Sequence, residues 1–204
     1  MHKEILTSEQ IGLLPLIKKF SGNFGLAGGT AIALHIGHRE SIDFDLFSTV
    51  GIKAADIRKK IIEKNSLERA LVDNKDEYTV IVNKVKFTFL HYPFPIEFKE
   101  NFAGVIKVVD LAALGAMKAY ALGRRSKWKD YVDLYFILKH HYPLKKISRE
   151  AEKIFGQEFN EKIFRSQLAY FKDMDYSEEI IYKKGCYTSK EKIMKELVKF
   201  SVGR

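Results

Sequence analysis

The stretch Leu26–Phe47, LAGGTAIALHIGHRESIDFDLF, decides the fold. Gly28, Gly29 and Thr30 open it, and an apolar run follows that Gly37 stops, as a C′ glycine stops a short helix. The stretch closes on SIDFDLF, which alternates. Ile42, Phe44 and Leu46 share one face of a strand, and Asp43, Asp45 and Phe47 share the other. Two bare carboxylates on one face repel each other, and a divalent cation relieves that repulsion. Mg²⁺ (or Mn²⁺) is held by one or two carboxylates together with substrate phosphates. A glycine turn at a helix N-terminus supplies the N–H groups that cradle a phosphate. Each half alone is common, as a tight turn or as solvated surface aspartates. In this order, with Asp43 fifteen positions after Gly28, they form a constellation for nucleotidyl or phosphoryl transfer.

Outward from this stretch the pattern changes once. Residues 8–20 predict a helix with Ser8 as its cap and Pro15 as a kink or the true start. FGLAGG reads as a short strand. Residues 52–64 read as an amphipathic helix, and 67–73, 77–83 and 85–92 as strands, with Asn83-Lys84 a tight turn between the last two. PFPIEFKENFAG (93–104) reads as a loop, and from Asp110 onward the spacing is helical. The expected class is α+β, with a mixed β-sheet and flanking helices over 1–105. A helical bundle packed on it is expected over 106–204.

The bulk composition narrows the partners. With 46% hydrophobic and 30% charged residues, the chain has the make-up of a folded globular protein. No apolar run approaches the ~18–20 residues that span a bilayer. The start, MHKEILTSEQ, lacks the pattern of a signal peptide. Cys186 is the single cysteine, which excludes an internal disulfide. A cytoplasmic protein with no membrane partner is expected. The net charge of +9 favours polyanions, either nucleic acid or nucleotide phosphates. His35 and His38 make no convincing metal site; His38-Arg39 reads better as positive charge near the phosphates.

A second segment carries chemistry: MKAYALGRRSKWKDYVDLYFIL, residues 117–138. Asp130 and Asp133 are three apart and so adjacent on a helical face, able to pair with Lys118, Arg124 or Arg125 across a helical hairpin. Lys118 stands alone in an apolar helix, an uncomfortable place for an idle lysine. The paired motifs GGTAIALHIGHRESIDFDLF and MKAYALGRRSKWKDYVDLYFIL, with a weaker echo in QLAYFKDMD (167–175), resemble one known family. It is the nucleotidyltransferase AbiEii/AbiGii toxin family, within the DNA polymerase beta-like nucleotidyltransferase superfamily.

The resemblance implies Mg²⁺-dependent transfer of an NMP from an NTP to an acceptor hydroxyl. The implied acceptor is RNA, such as the 3′ end of a tRNA, and the implied setting is a toxin–antitoxin or phage-defence pair with a cognate antitoxin protein. It assigns Gly28, Gly29, Thr30 and Ser41 to the triphosphate, and Asp43 and Asp45 to the metal. It gives Lys118 to the triphosphate charge as well, and matches Lys129, Asp130 and Asp133 to the family's KDxxDL motif. One position departs: where relatives carry a third carboxylate on a later strand, this chain has Thr88. Asp130 or Asp133 would then compensate. Otherwise the fold is one that binds nucleotide or RNA without transferring it. A transferase that nucleotidylates a protein, or one acting on a small molecule, also stays open.

Overall fold

The structure, a computed structural model, describes residues 1–122 and 124–203. Met1–Asp110 and Leu111–Arg204 form two compact units. The first runs through α1 (Ser8–Gly12), α2 (Leu14–Lys18), β1 (Gly25–Ala27), α3 (Gly28–Ile36), β2 (Phe44–Ser48) and α4 (Ala54–Ile62). It continues with β3 (Leu67–Asp73), β4 (Glu77–Val82), β5 (Val85–His91), β6 (Glu100–Phe102) and β7 (Ile106–Val108).

The expected helix over 8–20 is two short ones. Thr7, not Ser8, caps the first, because its hydroxyl accepts from Gln10 N at 3.2 Å while Gln10 Oε1 accepts from Thr7 N at 3.1 Å. This reciprocal pair satisfies two N–H groups that the helix leaves open. Pro15 lies in the first turn of α2, where its missing N–H goes unmissed.

The strands form a mixed sheet in the order β3-β4-β5-β2-β1-β7-β6. β2 lies at its heart, antiparallel to β1 and parallel to β5. β4 and β5 form a hairpin through Asn83 and Lys84, both at positive φ (45° and 68°), the twist that two-residue hairpin turns require. The sequence reading needs two corrections here. β6 falls inside the expected loop, and β7 carries the sheet on to Val108. Ile42 lies outside β2 and is 61% exposed, so the alternation begins only at Phe44.

Alternation in β2 and β5 gives the sheet two unlike faces. Phe44, Leu46, Phe87 and Phe89 are buried on one face, together with Leu26 and Val80. Phe20 and Phe24 close over Phe89 edge-on, at centroid distances of 4.8 and 5.4 Å. Asp45 and Thr88, directly paired across β2 and β5, point to the other, half-exposed face.

The second unit is helical: α5 (Leu111–Leu122), α6 (Trp128–His140), α7 (Leu144–Phe155), α8 (Glu161–Leu168) and α9 (Lys190–Val202). α5 packs against α6, α7 and α8, which is why its sequence, LAALGAMKAYAL, is apolar on nearly every side. Among the described residues no helix is long and apolar enough to cross a membrane.

Phe87→Ala is expected to destabilise the first unit by about 3–5 kcal/mol, the usual loss for a fully buried aromatic. Ile42→Ala should stay within about 0.5 kcal/mol. Urea midpoints of the two variants measure both.

Candidate functional site

The site begins where β1 turns into α3. Gly28 holds φ at +69°, and a Cβ added there would lie 1.9 Å from Asp45 Oδ2. Only glycine meets both demands at once. The Asp45 carboxylate therefore lies directly against the first turn of α3. Ala27, the residue that caps α3, has no side chain to satisfy the helix's first N–H groups. The first turn of α3 is a positive helix terminus of the kind that binds anions, and the Asp45 carboxylate lies against it. Beside it a Cβ on Gly29 would lie 2.7 Å from Arg39 Nη2 and 3.4 Å from Ser41 Oγ. Arg39 is itself buried and donates to the Glu40 carbonyl at 2.9 Å. The positive charge expected from His38-Arg39 is thus the Arg39 guanidinium.

Asp43 is held by its backbone. The Thr30 hydroxyl donates to the Asp43 carbonyl and lies 2.9 Å from Ser41 Oγ. Gln10 Nε2 lies 3.5 Å from the same carbonyl, so the residue that completes the α1 cap also reaches this loop. Thr30 is buried, with its hydroxyl directed at the loop carrying Ser41 and Asp43. The Asp43 carboxylate meets Lys86 Nζ at 2.6 Å. Lys86 was not among the residues singled out from the sequence. It stands two residues before Thr88 on the strand that pairs with β2, and so on the same face as Asp45, a register that only the folded sheet sets.

These residues fit a divalent cation held with a substrate triphosphate. An ammonium already lies against Asp43, so this carboxylate sits where a cation is favoured, and Asp45 stands beside the start of α3. Among the described residues no cluster of three or more acidic, His or Cys side chains could hold a metal by protein ligands alone. The remaining ligands would have to come from phosphate oxygens and water, as Mg²⁺ ordinarily takes them. Thr88 does lie next to Asp45, on the neighbouring strand.

In the helical unit Lys118, Asp130 and Asp133 are brought together. The Lys118 ammonium pairs with Asp130 and lies 3.0 Å from Asp133 Oδ2, and all three are buried. Arg125 Nε adds a bond to Asp130 Oδ2 at 2.8 Å. Two positive and two negative groups thus balance. Burial pushes the Asp130 carboxyl up, but the Lys118 and Arg125 charges outweigh it and hold it below its ordinary value of 3.8. Lys129 does not join this group: it pairs with Glu178.

His35 Nε2 hydrogen-bonds the Val109 carbonyl at 2.9 Å and serves the fold. A cavity of about 250 Å³ lined by Phe20, Asn23, Lys53 and Lys60 includes Ser48, the last residue of β2, and contains neither aspartate.

Comparison with known proteins places the chain in a family. Residues 17–185 match the family described as nucleotidyl transferase AbiEii toxin, type IV toxin–antitoxin system. The Aquifex aeolicus protein aq_aa25 is 34% identical over 157 residues, covering 74% of this chain and 75% of its own. Two solved structures share the fold. MenT4, a nucleotidyltransferase toxin of Mycobacterium tuberculosis, superposes with a TM-score of 0.65 at 12% identity over 95% of this chain and 82% of its own. JHP933 from Helicobacter pylori gives 0.59 at 19% identity, over 96% and 91%.

Gly28→Ala should destabilise the protein by about 1–3 kcal/mol, through the strained backbone and the displaced Asp45 carboxylate. Gly12→Ala, whose added Cβ meets nothing within 4 Å in α1, should keep or raise the urea midpoint, since alanine loses less backbone freedom on folding. Lys118→Met leaves Asp130 and Asp133 buried with a charge deficit and should cost about 3–5 kcal/mol. The Asp130 pairing also has a pH signature. Its carboxyl is more acidic folded than unfolded, so the stabilisation is complete above about pH 4 and is lost as pH falls below it. Asp130→Asn should flatten the stability profile below pH 4, read by thermal melts; an unaltered slope would refute the assignment.

Proposed function

Since the chain belongs to the AbiEii family of nucleotidyl transferase toxins and is a nucleotidyltransferase by that membership, we propose that Gly28, Gly29, Ser41, Asp43 and Asp45 form its transfer site. The observation that carries this reading is the Asp45 carboxylate packed on Gly28 at the start of α3, with Asp43 two residues before it on the chain. The reaction joins an acceptor hydroxyl oxygen to the α-phosphorus of an NTP and releases pyrophosphate.

Each residue has a part. The N–H groups of the first turn of α3, with Arg39 and Ser41, bind and orient the triphosphate. Asp43 and Asp45 would hold Mg²⁺, which supplies charge neutralisation on the phosphates and lowers the pKa of the attacking hydroxyl. Thr30 fixes the Asp43 backbone rather than touching phosphate. Lys86 balances Asp43 when no metal is present, so the carboxylates tolerate one another in the empty protein. Lys118, Asp130 and Asp133 form a buried charge network within the helical unit. Lys129, tied to Glu178, takes no part in this scheme.

The acceptor in this reading is RNA, with a tRNA 3′ end as the first candidate, and the setting is a toxin with its own antitoxin protein. The net charge of +9 supports a polyanionic acceptor. Thr88 favours a second reading, in which the fold binds nucleotide without transferring it, because a hydroxyl stands beside Asp45 where a third carboxylate would complete the site.

Incubating the purified protein with Mg²⁺, each of four α-³²P-labelled NTPs and total tRNA tests both. Label on tRNA that disappears in Asp43→Ala and Asp45→Ala, by at least about a hundredfold, supports transfer. Label removed by protease but not by RNase would move the acceptor to protein. Metal-dependent NTP affinity without labelled product would favour the second reading.

A further inference from the structure

Four aromatic side chains gather in the helical unit at the start of α6. Trp128 opens that helix, with its ring centroid 5.6 Å from Tyr176. Tyr182 meets Tyr187 edge-on at 5.7 Å. All four line one cavity of about 360 Å³, together with Glu178 and Lys190. That volume falls within the ~300–1,000 Å³ of ordinary ligand sites. Trp128 forms the buried floor, while Tyr176 and Tyr187 remain 41% and 77% exposed. Large rings left in water beside a cavity mark a binding surface more often than a packing fault.

The charge around the rings says what kind of ligand fits. Lys190 Nζ lies 4.1 Å over the Tyr176 ring. Two carboxylates lie in the wall: Glu178, neutralised by Lys127 at 2.6 Å and by Lys129, and Glu179, which is exposed to water. Segment 180–190, IIYKKGCYTSK, carries Lys183, Lys184 and Lys190 and no carboxylate. Flat rings interleaved with lysines suit unpaired nucleobases joined by phosphates: the bases stack and the lysines follow the backbone. A peptide would find the rings but waste the lysines. Tyr187 and Lys190 also lie beyond the residues that match the family, which end at 185.

We propose that this cavity binds a single-stranded RNA segment. One base stacks against Tyr187 and the Trp128–Tyr176 pair, and the flanking phosphates lie on Lys183, Lys184 and Lys190. The choice of RNA rests on the acceptor proposed above, but the site binds RNA with or without transfer.

Trp128 is the chain's single tryptophan, so its emission reports on the cavity directly. The test titrates the full chain, without NTP, with a single-stranded oligouridylate of about 12 nucleotides, within the span of single-strand binding sites. The expected result is saturable quenching of Trp128, with binding weakened about tenfold in Tyr187→Ala and restored in Tyr187→Phe. Affinity should fall steeply with salt, and a duplex of equal length should bind more weakly. Tyr187 is largely exposed, so the alanine variant should keep the wild-type urea midpoint and the comparison stays clean.

No RNA binding by the wild type, RNA binding without quenching, or equal affinity in Tyr187→Ala would each overturn the proposal. The cavity would then fall to a protein side chain. The labelled-NTP assay run in parallel separates the two readings. RNA labelled while Tyr187→Ala binds it like the wild type sinks this cavity and spares the RNA acceptor. Quenching intact with no RNA labelled does the reverse.

Discussion

Everything proposed for the first unit depends on one close approach. Asp45 extends from the central strand across Gly28, so near that any Cβ would collide with its carboxylate oxygen. β1 pairs antiparallel with β2, placing Ala27 opposite Asp45, and the chain must then turn at once into α3. A left-handed glycine makes that turn and leaves room for the carboxylate. Helix dipole and carboxylate thus end up adjacent. The dipole is worth only about 0.3–1 kcal/mol to a nearby surface anion. It cannot bind a triphosphate by itself, which is why the aspartates and the charge they gather matter more.

Both units handle clustered charge by pairing it. Unpaired, a buried charge is penalised by several kcal/mol; paired and hydrogen-bonded, it is tolerated at little net gain. Asp43 is half-exposed and meets Lys86, a pairing that water and salt screen and that a stronger cation can replace. Lys118, Asp130 and Asp133 are buried, and Arg125 completes their balance. The first arrangement is exchangeable and the second is fixed. An exchangeable pair suits a position where a metal comes and goes, and a fixed network suits the placement of a charge between α5 and α6.

Much of this was legible in the sequence, for identifiable reasons. Gly37 stops α3 in the left-handed conformation, Asn83-Lys84 turns the hairpin, and β3 runs over the expected residues, because turn chemistry and period-two alternation are local signals. Helical spacing put Asp130 and Asp133 on one face and left their partner open among Lys118, Arg124 and Arg125, of which Lys118 meets both and Arg125 meets Asp130. β6 and β7 were hidden, since three residues give no period to read and two prolines precede them. Lys86 and Gln10 were hidden for another reason. Each acts through contacts with residues far along the chain, and strand register or a helix cap's second bond is decided by tertiary packing. Ile42 misled because alternation in the sequence ran past the point where β2 begins.

Asp43 and Asp45, in the function proposed here, hold a divalent cation jointly with an NTP's phosphates. Electron paramagnetic resonance of Mn²⁺ tests this most directly, with the protein titrated in the presence and absence of a non-hydrolysable NTP. The expected result is weak Mn²⁺ binding by the protein alone, strong binding once the nucleotide is present, and loss of that gain in the Asp43→Asn/Asp45→Asn variant. A double variant that binds Mn²⁺ and nucleotide as the wild type does would contradict it.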